Sequence, residues 1–573
     1  MDKKNTIIGL LLLGAAFASQ YFWQRAQPSQ PPPAPVVGEP TAAAPAGDGA
    51  TPASPSSGAA VEGRPVAPAP SAEFAALATQ NRDATLTSIG NDFIEVRFTD
   101  YGGAVAEVAF KHYAAEYDAT EPYVFNVARV DPILAITNVP GLGAETRYAL
   151  VSSSATEVVY RATLEGRLEV TRRYRIEGSG STTGDPYVIR HETSWRNLGA
   201  SAAPPAIAGL SLGTASLVGI NDIGQYLNVA QYDGDDAIYA DRGELEGGGF
   251  LSWIGMKDGA PKSVVSKDGT VVWAAVKNQF FASLYTADEP GIGTTTRRVE
   301  LPPFPGSSRP NVGLTGVARY PVPQLEGNGA ATLAGNLYVG PKEYTRLRKF
   351  EHGEAKVMQF DRYFFNRIFL SGILAPLMNL LMNFTHGWVG NWGLAIVLMT
   401  LLLKIVTLPF TLAASRSAKR MQKLQPQMQA VREKYKDNPQ KLNQATIAIF
   451  KENKVNPMGG CIPILITIPL FVAFFAMLQG TAELRFQGFL WVKDLSAPDT
   501  VARISLGFMS LPINIMPLLM GATMVWQMRL TPTPTTDNMQ MQIFKFMPIV
   551  FTLFCYNFAA GLALYSTVNG LFT

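Results

Sequence analysis

The run NWGLAIVLMTLLLKIVTLPFTLAASR, residues 391–416, decides how the rest of the chain is read. It exceeds the roughly 20 apolar residues that cross a bilayer, and Lys404 is the one charge inside it before Arg416. On a helix rising about 1.5 Å per residue, Lys404 stands roughly 18 Å from Trp392 and roughly 18 Å from Arg416, near mid-membrane and beyond the reach of a snorkelling lysine stem. Thr400, Lys404, Thr407 and Thr411 share one helix face, and Leu, Ile, Val and Met fill the others. A charge at that depth costs at least about 2.5 kcal/mol unless it meets water or a partner. The other apolar runs contain no Asp or Glu to neutralise it. The expectation is a water-filled cavity, open to one side, lined by Lys404, Thr400 and Thr407 with Gln479, Thr523, Gln527 and Tyr565.

The whole chain fits that reading. Its 573 residues are 47% hydrophobic and 16% charged, and mean hydropathy is +0.09, too apolar for an ordinary soluble enzyme and too mixed for a pure helical bundle. Cys461 and Cys555 lie in apolar runs, so no disulfide framework is expected. His112, His191, His352 and His386 are scattered without ligand spacing, which predicts no metal site.

Residues 1–24 join a Lys3-Lys4 flank to an apolar run ending at Tyr21 and Trp23. Ala16-Phe17-Ala18 also fits a signal-peptidase site, but the aromatic end favours an uncleaved transmembrane anchor. Residues 25–79 are largely Pro, Ala, Gly and Ser and read as a tether without a core. From 80 to 345, segments such as DFIEVRFTD, RLEVTRRYRIE and YVIRHETSW alternate β-branched and aromatic residues with polar ones between turn signals. They predict a periplasmic antiparallel β-sandwich. No close acid and base pair stands out there, so a binding or spacer domain is expected rather than an enzyme.

Residues 346–390 read as an amphipathic helix region lying in the outer interface, with Asn366, Asn379 and Asn383 beside Arg362 and Arg367. A crossing there would export the basic segment that follows, against the positive-inside rule. That segment, 416–456, carries ten Lys and Arg against three acids, Arg416, Lys419, Arg420 and Lys423 leading. Two apolar-periodic arms around Asp437-Asn438-Pro439 predict a cytoplasmic helical hairpin, whose basic face suits anionic lipid or a ribosome. Further spans are expected at about 458–479, 511–528, 544–558 and 562–573. The last is short of a full crossing, which predicts that its helix continues past Thr573. The fold class is thus a multidomain membrane protein with an N-terminal anchor, a periplasmic β-sandwich and a C-terminal five-helix membrane core, 391–573.

The segments GNWGLAIVLMTLLLKIVTLPFT, KRMQKLQPQMQAVREKY, NPMGGCIPILITIPLF, FLWVKDLSAPD and AGLALYSTVNGL carry a resemblance to the YidC family of membrane protein insertases, of the Gram-negative type. It is strong over 340–573. The resemblance implies five core helices around a hydrophilic groove open to cytoplasm and lipid and closed outside, in the cell inner membrane. It implies insertion and folding of nascent integral membrane proteins, alone or with the Sec translocon and its accessory subunits, with no enzymatic turnover. No cofactor is expected, since no Gly-rich phosphate loop is present, and no direct nucleic-acid partner. Three features depart from the family pattern: Lys404 stands where the groove cation is usually Arg, Thr467-Ile468 where Gln-Met is familiar, and no basic tail follows the last helix. Two other readings compete, a polytopic transporter or channel using Lys404, and a membrane-tethered carbohydrate-binding or processing protein.

Overall fold

The computed structural model describes residues 83–572 except 140, 179–183, 221, 248–259, 305–310, 437, 454–461, 506–509 and 531–538. The anchor and tether expected at 1–24 and 25–79 lie outside the described residues. Alternation of apolar and polar side chains gives strands from Leu86 onward. β1 (Leu86–Gly90), β2 (Ile94–Thr99), β3 (Ala104–Ala114) and β4 (Pro122–Phe125) form a four-stranded antiparallel sheet in that order. Among the described residues the second sheet holds twelve strands: β5 (Ile136–Thr137), β6 (Ala149–Ser153), β7 (Glu157–Leu164), β8 (Leu168–Ile176), β9 (Val188–Asn197), β10 (Ala206–Ser216), β11 (Asn228–Tyr232), β12 (Ala237–Asp241), β13 (Val264–Lys277), β14 (Phe281–Leu301), β15 (Asn311–Val322) and β16 (Ala330–Pro341). Its main path runs β12-β11-β13-β14-β16-β9-β8-β7-β6, and all pairings are antiparallel. The 21-residue β14 pairs with β16 through its first half and β15 through its second, tying the two parts of the sheet together.

Alternation in β8 turns Val170, Arg172, Tyr174 and Ile176 inward and leaves Arg173 and Arg175 outward. Arg172 is fully buried, yet its guanidinium donates to the carbonyls of Gly102 (2.7 Å) and Leu134, pinning two loops to the sheet. His191 is buried beside it and contacts Thr193 Oγ1 (2.7 Å) and Tyr285 Oη (3.0 Å), so it has no access to a substrate. Burial and the neighbouring Arg172 hold its pKa well below the ordinary histidine value.

Two short helices, α1 (Arg242–Glu246) and α2 (Tyr344–Leu347), decorate the β-domain, and α3 (Phe364–Ile368) leads out of it. The helical region follows: α4 (Ser371–Val389), α5 (Trp392–Lys423), α6 (Gln425–Lys434), α7 (Pro439–Glu452), α8 (Ile462–Leu478), α9 (Ile515–Leu530), α10 (Met539–Phe554) and α11 (Ala560–Leu571). Among the described residues, α5 alone is long and apolar enough to cross a membrane by length and composition. Buried apolar side chains run without interruption from Ile89 in β1 to Val568 in α11, so the β-domain and bundle share a packed core.

The amphipathic sense expected of α4 is inverted. Asn379 is fully buried and donates to Thr481 Oγ1 (3.3 Å), and Asn366 is buried and donates to the Phe360 carbonyl (3.1 Å). Arg362 pairs with Asp241 and stacks on Tyr239. These polar groups answer to protein rather than head groups, while Ile373, Leu377, Phe384 and Trp388 form the exposed face. An apolar face turned outward suits lipid as its neighbour. The physical reason is that α4 packs against α5 and α8, which brings Asn379 to Thr481 in the loop after α8 and Thr385 to the Ala395 carbonyl of α5.

Element bounds also differ from the sequence reading. Residues 510–514 pair with Thr500–Ser505 as β18 (Ser510–Asn514) against β17 (Thr500–Ser505), so the helix expected from 511 begins at Ile515. The long apolar helix α5 runs on through Arg416 to Lys423, one continuous rod with the start of the hairpin; the break comes at Leu424, with a proline in the first turn of α6. Leu424 and Ile449, with Met421, Val431 and Phe450 against them, close the hairpin α6–α7.

Candidate functional site: a half-open polar face in the bundle

The Asn391 side chain caps α5 by accepting from the Leu394 amide (3.1 Å), and Thr385 Oγ1 of α4 donates to the Ala395 carbonyl (3.1 Å). These contacts fix the start of α5, and with it the direction each later side chain takes. Along the inward face, Ala395, Ile396 and Met399 are fully buried and Thr400 is 1% exposed, whereas Leu403, Lys404, Thr407 and Thr411 are only half-buried. The opposite face is open: Val406 is 69% exposed, and Ile405, Leu408, Phe410 and Leu412 are exposed with it. One side of α5 is therefore dense near the β-domain and loosens toward the hairpin, and the other offers bare hydrocarbon.

The neighbouring helices repeat this gradient. On the β-domain side, Ala473, Phe474 and Met477 of α8, Met516 and Met520 of α9, and Leu562 and Tyr565 of α11 are buried. Further along, Met524, Gln527 and Met528 of α9 and Ser566, Thr567 and Asn569 of α11 are half-buried. The start of α11 is sealed by backbone bonds from Ala560 N to the Ala497 carbonyl (2.8 Å) and from Gly561 N to the Leu495 carbonyl (2.9 Å). A Cβ on Gly561 would lie 3.1 Å from that Leu495 oxygen and 3.5 Å from Ile396 Cδ1, so glycine lets α11 close against α5 and the loop.

The residues expected from sequence fall at different depths. Lys404 and Thr407 lie together on the half-buried part of α5. The Thr400, Thr407 and Thr411 hydroxyls donate to carbonyls four residues earlier (2.7, 2.9 and 3.1 Å), so their polarity is satisfied within the helix. Tyr565 is 2% exposed and packs on Phe474 with ring centroids 4.4 Å apart, inside the dense half. Gln479 follows the end of α8 beside Gly480, which abuts Lys342 of the β-domain, so it stands at the β-domain end of the bundle. Thr523 is half-buried where Gly570 of α11 comes closest, and Gln527 lies about one turn further toward the hairpin. Arg416, Lys419, Arg420 and Lys423 are all exposed on the last turns of α5.

Sequence reasoning passed over the junction between the β-domain and bundle. Arg485, 6% exposed, donates to the carbonyls of Ala114 (2.5 Å) and Ala115 (2.8 Å) and stacks on Phe486 (4.1 Å). Lys342, fully buried, donates to Gln279 O (2.7 Å) and Asn278 O (3.2 Å), and burial brings its pKa down to about 7. Glu483 accepts from Thr481 Oγ1 (2.5 Å), its Oε1 has no hydrogen-bond partner among the described residues, and burial beside Glu343 pushes its pKa up to about 7. The one sequence signal was a Glu-x-Arg pair in an aromatic loop, TAELRFQ, which does not announce burial.

A large antiparallel β-domain fused to a helical bundle, with a single lysine on the half-open face of its longest apolar helix, defines a membrane protein class built around a polar face within apolar surroundings. The model of the family described as 60Kd inner membrane protein matches residues 384–573. A membrane protein insertase YidC of Prosthecochloris aestuarii is 28% identical over 527 residues, 87% of this chain and 83% of its own length. That of Chlorobaculum parvum is 31% identical over 415 residues, 71% of this chain and 66% of its own length. A crystal structure of an active YidC insertase with its first transmembrane domain resolved aligns over 85% of this chain and 90% of its own, at 17% identity and a TM-score of 0.31. This chain belongs to the YidC family of membrane protein insertases.

Proposed function

We propose that this membrane protein insertase works through the half-open face of α5, with Lys404 as its cation. The carrying observation is the burial gradient on that face, from fully buried Met399 to half-buried Lys404, Thr407 and Thr411, set against a bare apolar face at Ile405 and Val406. In a bilayer the apolar face meets acyl chains, and the loosened face holds water from the hairpin side, which keeps the ammonium solvated. A polar tail entering there crosses a thinner apolar barrier, and the cation attracts its acidic residues. The client's apolar segment then gains about 25 cal/mol per Å² as it leaves water for lipid, which draws the tail through without a nucleotide.

The orientation follows from the basic hairpin, which the positive-inside rule keeps in the cytoplasm, with the β-domain in the periplasm of the inner membrane. Five core spans, α5, α8, α9, α10 and α11, fit that arrangement, with α4 lying against lipid at the outer surface. The exposed Arg416, Lys419, Arg420 and Lys423 suit a ribosome or anionic head groups, and cooperation with the Sec translocon belongs to the same reading. Photocrosslinkers placed singly at Thr407, Thr411 and Val406 test it during insertion of a single-span client. Adducts to the client's polar tail are expected at 407 and 411; tail adducts at 406 alone would overturn the assignment of the face.

A further inference from the structure

We propose that the cleft between the β-domain and the bundle binds a phosphoethanolamine group, presented as the head group of a phospholipid in the leaflet nearest the β-domain. The cleft encloses about 400 Å³, within the range of small-molecule sites. Aromatic rings from both domains wall it: Tyr113 and Tyr187 from the β-domain, Trp392 and Phe486 from the bundle side. Trp392 opens α5 and stacks on His386 at 3.8 Å, which sets the cleft at the depth where amphipathic rings and head groups meet. That placement rests on the membrane reading above.

Polar groups in the wall divide into those already engaged and those with capacity left. Glu343 accepts from Tyr113 Oη and from Arg346 Nε (2.9 Å), Arg346 Nη1 is taken by Asp185 (2.7 Å), and Arg485 is taken by two carbonyls. Four remain among the described residues: Glu483 Oε1 without a partner, Arg346 Nη2, the exposed His112 ring, and the exposed Gln487 amide. One carboxylate oxygen faces the demand of an ammonium, and three donors face that of a phosphate diester. An anionic head group would leave Glu483 unanswered, a purely cationic one would leave the three donors unanswered, and a choline would offer Glu483 no N–H.

The test uses the full chain in bilayers of equal phosphatidylethanolamine, phosphatidylcholine and phosphatidylglycerol, with native mass spectrometry reading the lipid retained. The wild type is expected to keep phosphatidylethanolamine over either competitor by roughly fivefold or more. Glu483→Gln should bring that preference to near one, whereas the surface pair His112→Ala with Gln487→Ala should lower retention of all three lipids several-fold, because each carries the phosphate diester. Lys404→Glu should keep the preference, so that failure of the insertion reading and failure of this one are told apart. Equal retention of the three lipids, a preference untouched by Glu483→Gln, or retention untouched by the His112 and Gln487 pair, overturns the proposal. Saturable binding of soluble O-phosphoethanolamine to lipid-free protein, without any lipid preference, would assign the cleft to a free metabolite and overturn the lipid source.

Discussion

Raising the pH from 5 to 7 should loosen the junction between β-domain and bundle, and Glu483→Gln should abolish the effect. Glu483 has its folded pKa raised from 4.5 to about 7, because its carboxyl is withdrawn from water and lies near Glu343. An acid raised in this way binds its proton more tightly folded than unfolded. Its contribution is fully present below 4.5 and is lost as pH rises through about 7. The shift corresponds to a ceiling of about 3 kcal/mol, and the partial exposure of the residue discounts it to about 2. Lys342 has the opposite sense: its depressed pKa makes stability rise with pH only above about 7. Hydrogen exchange at the Ala482 amide, which donates to the Lys342 carbonyl (3.2 Å), reports on the junction directly. Protection, corrected for the intrinsic rate, should fall roughly 10- to 30-fold between pH 5 and 7 in the wild type and stay level in Glu483→Gln. Equal pH dependence in both proteins would refute the reasoning.

Other consequences are as direct. Arg485→Ala removes the two donors that hold Ala114 and Ala115 and leaves buried carbonyls unpaired, which should cost about 2–4 kcal/mol and speed proteolytic release of the β-domain; Arg485→Lys should rescue it only in part. Gly561→Val drives a side chain into the Leu495 carbonyl and Ile396, so thermal unfolding in detergent should show a loss of about 1–3 kcal/mol, whereas a change at Gly387, where a Cβ meets nothing, should be nearly silent. Lys404→Glu should impair clients with acidic translocated tails more than those with neutral tails, and Lys404→Arg should retain both; unchanged insertion of acidic tails would remove electrostatic capture from the mechanism.

Much of this architecture was legible because its signals are periodic. The alternation in LEVTRRYRI put Val170, Tyr174 and Ile176 on one face, and the four-three-four spacing of Thr400, Lys404, Thr407 and Thr411 marked one side of a helix before any packing was known. What stayed hidden depends on contacts between distant segments. Asn379 looks like an interfacial residue until Thr481, 102 positions away, is found beside it. Leu511 and Pro512 look like the start of a helix until they pair with Ile504 and Arg503 as a strand. Tyr565 reads equally well as a groove residue or a packing ring, and its neighbour Phe474 places it in the dense half. Glu483 and Arg485 carry no periodic mark, since their burial is created by two domains meeting.

The proposed insertion route requires water along one side of α5 and hydrocarbon along the other. With Cys461 and Cys555 replaced, single cysteines at 404, 407 and 411 and at 405, 406 and 410 can be challenged in membrane vesicles with a polar maleimide supplied from the hairpin side. Rapid alkylation is expected at 404, 407 and 411, with near silence at 405, 406 and 410. Equal silence on both faces, or the reverse pattern, would contradict that route.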